Sequence, residues 1–70
     1  MRKYQEIKIS PNQWNQVKTI VKSSCRVRKE ETNKMICNIN GYCFEVVYNG
    51  SICSISINHN QEIIEELKSL

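Results

Sequence analysis

Polar and apolar residues alternate near the start of the chain. Gln5-Glu6-Ile7-Lys8-Ile9 predicts a short strand with Ile7 and Ile9 turned inward. The period then changes. Trp14, Val17, Ile20 and Val21 recur at helical spacing, behind a group of helix-start signals. Ser10 suits the N-cap, Pro11 the first helical position, and Gln13 the third position of a capping box. Ile9 and Trp14 are spaced to close as a hydrophobic staple across that cap. Lys18 and Lys22 lie beside the apolar stripe toward the C-terminal end, where cations suit the helix dipole, and Ser23-Ser24 ends the helix.

Alternation returns in Cys25-Arg26-Val27-Arg28-Lys29-Glu30, a further strand. It then runs through residues 34–57, KMICNINGYCFEVVYNGSICSISI, broken only by Asn40-Gly41 and Asn49-Gly50. Each Asn-Gly pair between alternating residues predicts a two-residue hairpin turn. Turning at Asn40-Gly41 sets Ile39 opposite Tyr42, Cys37 opposite Phe44 and Met35 opposite Val46. Turning at Asn49-Gly50 sets Tyr48 opposite Ser51, Val46 opposite Cys53, Phe44 opposite Ile55 and Tyr42 opposite Ile57. Both turns collect the same apolar set on one face: Met35, Cys37, Ile39, Tyr42, Phe44, Val46, Cys53, Ile55 and Ile57. For the link from Cys25–Glu30, a three-residue loop over Glu31-Thr32-Asn33 keeps Cys25, Val27 and the stem of Lys29 on that face. Asn33 would then take the left-handed position such loops require.

Asn58-His59-Asn60-Gln61 offers cap residues, and Ile63, Ile64, Leu67 and Leu70 form the stripe of a short terminal helix. The expected fold is a single two-layer α+β domain over residues 1–70, in the order β-α-β-β-β-α. It comprises an antiparallel three-stranded meander, an N-terminal edge strand, and both helices on one sheet face. The first strand is expected to lie parallel to its neighbour through a right-handed crossover, at an edge the pattern leaves open.

Length bounds the function. A chain of 70 residues has a small core and no room for an enclosed active site with a supporting shell. The opening Met1-Arg2-Lys3-Tyr4-Gln5-Glu6 lacks the apolar run of a signal peptide, and no stretch reaches the roughly 18 apolar residues that span a bilayer. A cytosolic (cytoplasmic) protein with reduced thiols is expected. Asp and Ala are absent while Ile, Asn and Lys abound, the residue set of AT-rich genes such as those of low-GC bacteria and their phages.

The four cysteines are separated by eleven, five and nine residues and all fall within strands. Structural zinc sites use close pairs on turns, and disulfides need facing partners. Here Cys25, Cys37 and Cys53 face the core on different strands, Cys43 faces outward, and none lies directly opposite another. They read as buried hydrophobes, with no metal and no cofactor expected. Catalysis is not expected either. His59, the single histidine, sits in a capping loop, Cys53 is buried, Cys43 belongs to the other face, Glu45 is mid-strand on that face, and Glu62, Glu65 and Glu66 read as solubilising charges on a helix surface. Gly41 and Gly50 are both spent in turns, which leaves no phosphate-cradling loop.

The net charge of +3 divides unevenly: residues 1–34 carry nine basic and three acidic side chains, residues 35–70 one basic and four acidic. The uncovered sheet face should present Arg26, Arg28, Lys34, Ile36, Asn38, Cys43, Glu45, Val47, Ile52, Ser54 and Ser56. Two uses follow. The first is docking on a larger protein or complex through Ile36, Glu45, Val47 and Ile52, as an inhibitor or adaptor. Compact phage genes encode such host-directed proteins, anti-CRISPR and other anti-defence factors among them. The second is nucleic-acid binding through Arg26, Arg28, Lys29 and Lys34, with Arg2, Lys3 and Lys22 in support. The helix–three strands–helix order resembles that of double-stranded-RNA-binding domains. Their lysine-rich start of the second helix is missing, because Asn60-Gln61-Glu62 occupies that position. An open edge strand also allows a homodimer.

Overall fold

The structure, a computed structural model, describes residues 3–70. Strand β1 (Tyr4–Lys8) leads into helix α1 (Pro11–Ser24). Strands β2 (Arg26–Glu31), β3 (Lys34–Ile39), β4 (Tyr42–Tyr48) and β5 (Ile52–Ser56) follow, and helix α2 (Gln61–Lys68) closes the chain. The strands form one antiparallel sheet in the order β1-β5-β4-β3-β2. This is the expected two-layer α+β fold, with a meander of four strands instead of three because the Cys25–Glu30 run joins it. The extra strand also departs from the helix–three strands–helix order of double-stranded-RNA-binding domains.

Helix α1 begins as its residues dictate. The Gln13 amide donates to Ser10 Oγ at 3.3 Å, and the Ser10 amide donates back to Gln13 Oε1 at 2.9 Å. Ile9 and Trp14 are both buried in the core. Both helices pack on one sheet face, where Trp14, Val17 and Val21 of α1 and Ile63, Ile64 and Leu67 of α2 meet Met35, Cys37, Phe44, Val46, Cys53 and Ile55 of the sheet. Tyr48, omitted from the expected apolar set, is also buried and stacks on Trp14 with ring centroids 5.1 Å apart. Ile39 and Ile57 pack at the margin, whereas Tyr42 and Leu70, expected in the core, are exposed.

Strand β1 corrects one expectation. Its neighbour is β5, and the two run antiparallel, Tyr4 opposite Ser56 and Lys8 opposite Ile52. The chain leaves β1 at one edge of the sheet, crosses the helical layer as α1, and enters β2 at the far edge. The strands flanking the helix therefore share a direction without touching.

The β3–β4 hairpin has the expected register, with Ile39 opposite Tyr42, Cys37 opposite Phe44 and Met35 opposite Val46. Asn40 and Gly41 both have positive φ, 52° and 86°, as a type I′ turn requires. The β4–β5 turn differs. Tyr48 lies opposite Cys53 and Val46 opposite Ile55, a slip of two residues that puts Gly50 and Ser51 at the turn centre. Asn49 occupies the corner before them, and its side-chain Oδ1 accepts from the amides of Ser51 (3.0 Å) and Ile52 (2.8 Å). Gly50, at φ 101°, takes the first central position, where glycine is favoured. An even slip preserves facing, so the apolar set stays on one side although its partners change.

The β2–β3 link is a two-residue turn at Thr32-Asn33, with Glu31 opposite Lys34, in place of the expected three-residue loop. Asn33 does not adopt positive φ. Tertiary partners fix this turn: the Trp14 indole donates to the Thr32 carbonyl at 3.0 Å, and the Tyr48 amide to the Asn33 carbonyl at 2.8 Å. The phase is reset by a bulge at Arg28, beyond which Val27 lies opposite Cys37 and returns to the core side. Before the bulge, Glu30 stands on the helix side opposite Met35 and reaches Lys22 Nζ at 2.8 Å and Lys18 Nζ at 4.0 Å. Lys29 pairs with Ile36 and consequently moves to the uncovered face.

Candidate functional site

Among the described residues, no helix or loop covers the sheet face opposite the helices. Alternation assigns to it Tyr4, Glu6 and Lys8 of β1, Ile52, Ser54 and Ser56 of β5, and Cys43, Glu45 and Val47 of β4. Lys34, Ile36 and Asn38 of β3 and Arg26, Lys29 and Glu31 of β2 complete it. Ile36, Glu45, Val47 and Ile52, expected to bind protein, all lie here and are all half-buried. The expected register, with Tyr48 opposite Ser51 and Val46 opposite Cys53, would set Val47 opposite Ile52, and the structure does not pair them. The slip places Ser54 opposite Val47, and Ile52 stands diagonally from Val47 and opposite Lys8.

Residues that pattern reasoning passed over shape the centre of this face. Backbone pairing between β4 and β5 covers Val46, Val47 and Tyr48, and the two strands then part. Side chains fill the gap. The Glu45 amide donates to Ser56 Oγ at 2.7 Å, the same hydroxyl faces the Glu45 carbonyl at 3.4 Å, and Asn58 Nδ2 donates to the Cys43 carbonyl at 2.8 Å. Asn60 holds the loop behind them: fully buried, it donates to the Ser56 carbonyl at 3.0 Å and accepts from the Asn58 amide at 2.9 Å. The parted strands leave an open groove of about 590 Å³ lined by Lys3, Ile36, Cys43, Glu45, Ser56 and Asn58, among others. Its only sequence-level signal is the run of Ser and Asn in residues 54–60, whose side chains compete for backbone groups.

The charges are less concentrated than the sequence halves suggest. Lys34 Nζ lies 3.3 Å from Glu45 Oε2, so the cation at the centre of the face is neutralised there. Lys18 and Lys22 are turned to Glu30 on the helix side, and the Lys22 ammonium hydrogen-bonded to Glu30 holds that carboxyl below its ordinary value. Arg26, Arg28 and Lys29 are exposed along β2 and enter no ion pair among the described residues. The structure thus brings Arg26, Arg28 and Lys29 together at one edge, separates them from Lys22, and ties up Lys34. Lys3 borders the groove. Arg2 lies outside the described residues.

The thiols divide by face. Cys37 and Cys53 are buried, and burial pushes their thiols up to about 12 and about 11, keeping them protonated. Cys25 donates to the Val21 carbonyl at 3.2 Å, lies within hydrogen-bonding reach of Cys37, and is also pushed up by burial. Cys43 is exposed on the bare face, with Asn38 Nδ2 3.5 Å from its sulfur. Among the described residues no three His, Cys, Asp or Glu side chains converge as a metal site. His59 lies on the loop before α2 with φ 58° and stacks on Tyr42, ring centroids 4.0 Å apart. No helix among the described residues is long and apolar enough to cross a membrane.

Comparison of the chain with protein-family models, with curated proteins and with solved structures finds no match.

Proposed function

We propose that this chain is a non-enzymatic binding module that docks its bare sheet face on a larger protein, as an inhibitor or adaptor. The observation that carries this reading is the composition of that face's centre. Ile36, Val47 and Ile52 are half-buried, Ile36 lines the groove, and Lys34, the β3 cation opposite Val47, is neutralised by Glu45. A largely neutral, partly apolar centre with charges at its rim is the anatomy of a protein interface. A nucleic-acid track would place uncompensated cations along the centre, and here Arg26, Arg28 and Lys29 stand at one margin.

The test is affinity capture from host extract with nuclease treatment. Wild-type protein should retain a partner after nuclease. The double change Val47→Glu with Ile52→Glu should abolish capture, and Arg26→Glu with Arg28→Glu should leave it intact. The reverse pattern, with binding lost to nuclease and to the arginine changes, overturns the proposal in favour of nucleic-acid recognition.

A further inference from the structure

The two edges of the sheet are built differently. At the β2 edge a bulge interrupts the strand and Arg26, Arg28 and Lys29 crowd it, two devices that discourage strand addition. The β1 edge has no bulge, and its charges are of mixed sign, Glu6 beside Lys8. Its five residues pair with β5 without a register break, and among the described residues no strand lies on its outer side. The Lys3 carbonyl accepts from the Ile57 amide and the Ile9 amide donates to the Ser51 carbonyl, at the two ends of β5, so strand alternation directs the amides and carbonyls of Tyr4, Glu6 and Lys8 to the open edge.

We infer that the β1 edge pairs with the β1 edge of a second copy of this chain, antiparallel about a twofold axis at Ile7. The strand is self-complementary in that register. Glu6 of each copy falls opposite Lys8 of the other, and both residues belong to the set whose backbone groups point outward. Each Glu6–Lys8 couple therefore forms a hydrogen-bonded pair with opposite charges facing on the bare side of the sheet. Ile7 meets its own counterpart in the close, non-hydrogen-bonded position between them, on the helix side. Ile7 is only half-buried in the single chain, and this contact covers it. Moving the axis to Glu6, a register slip of two residues, would set the two glutamates against each other, so charge selects the axis at Ile7. The product is a ten-stranded sheet with both bare faces on the same side. The pairing uses the β1 edge, whereas the docking reading rests on Ile36, Val47 and Ile52 on the inner strands, and either can fail without the other.

Light scattering and sedimentation equilibrium over a concentration series test the pairing. Wild-type protein should dimerise as concentration rises. Glu6→Lys alone and Lys8→Glu alone each turn two attractive pairs into two repulsive ones and should weaken the dimer about tenfold. The combined exchange, Glu6→Lys with Lys8→Glu, should restore it. Both positions are exposed, so unchanged far-ultraviolet circular dichroism is expected in all three variants. Salt alone is not diagnostic, because it also screens repulsion between the acidic α2 helices of the two copies. A wild-type chain that stays monomeric to about millimolar concentration, the weak end of measurable association, overturns the inference. So does a dimer indifferent to the single reversals, or one the combined exchange fails to restore.

Discussion

The two faces of the sheet are made from adjacent residues of the same strands, yet they obey different physics. On the helix side, Met35, Cys37, Phe44, Val46, Cys53 and Ile55 are buried beneath two helices, and packing fixes each. On the bare side, Ile36, Glu45, Val47 and Ile52 are half-covered only by their neighbours in the sheet. Stability resides on the first face and adaptability on the second. A substitution that is severe at one position should be mild at the next.

The sharpest test compares Met35 with Ile36. Met35→Ala opens a cavity beneath both helices and should cost about 2–5 kcal/mol in denaturant unfolding, whereas Ile36→Ala should cost less than about half as much. Equal losses would mean that the bare face is packed in solution. A smaller effect is expected at Asn60, which stands on the covered side yet holds the loop that shapes the groove. Asn60→Ala orphans the Ser56 carbonyl and the Asn58 amide and should cost about 1–3 kcal/mol. Amide exchange at Asn58 should rise with it. Smallest in stability is the contrast between the thiols. Cys43 should react with a thiol reagent in the native protein, while Cys37 and Cys53 should react only on unfolding. The folded values of about 12 and about 11 lie above the ordinary thiol value of 9.0, so the unfolded chain ionises first as pH rises. Their stabilising contribution is complete below pH 9 and is lost between there and the folded values, which a series of alkaline unfolding curves would register.

What could be read from the sequence was whatever local chemistry decides alone. The capping box at Ser10, the helical stripe from Trp14 to Val21 and the Asn40-Gly41 turn are self-contained, and the structure contains each of them. The turns that went astray are those answering to distant residues. Thr32-Asn33 is held by Trp14 and Tyr48, and the slip at Asn49-Gly50 is held locally by the Asn49 side chain and from a distance by the Ile9 amide bonded to Ser51. Face assignments of the apolar residues survived because an even slip and a bulge both keep them inward, while Lys29 and Glu30 exchanged sides. The groove was not legible. It arises where β4 and β5 cease to pair, and periodicity carries no information about where two strands part.

The pairing of β1 with β5 unites the earliest strand of the chain with the latest. Tyr4 waits for Ser56 and Lys8 for Ile52, so nothing in the first half of the polypeptide can satisfy the opening segment. During synthesis the segment remains unpaired until the chain has been translated through Ser56, and in refolding its docking closes a long loop. The last strand to arrive is also the natural first to leave, so native-state deuterium uptake should begin along Tyr4–Lys8 and spread inward from that margin.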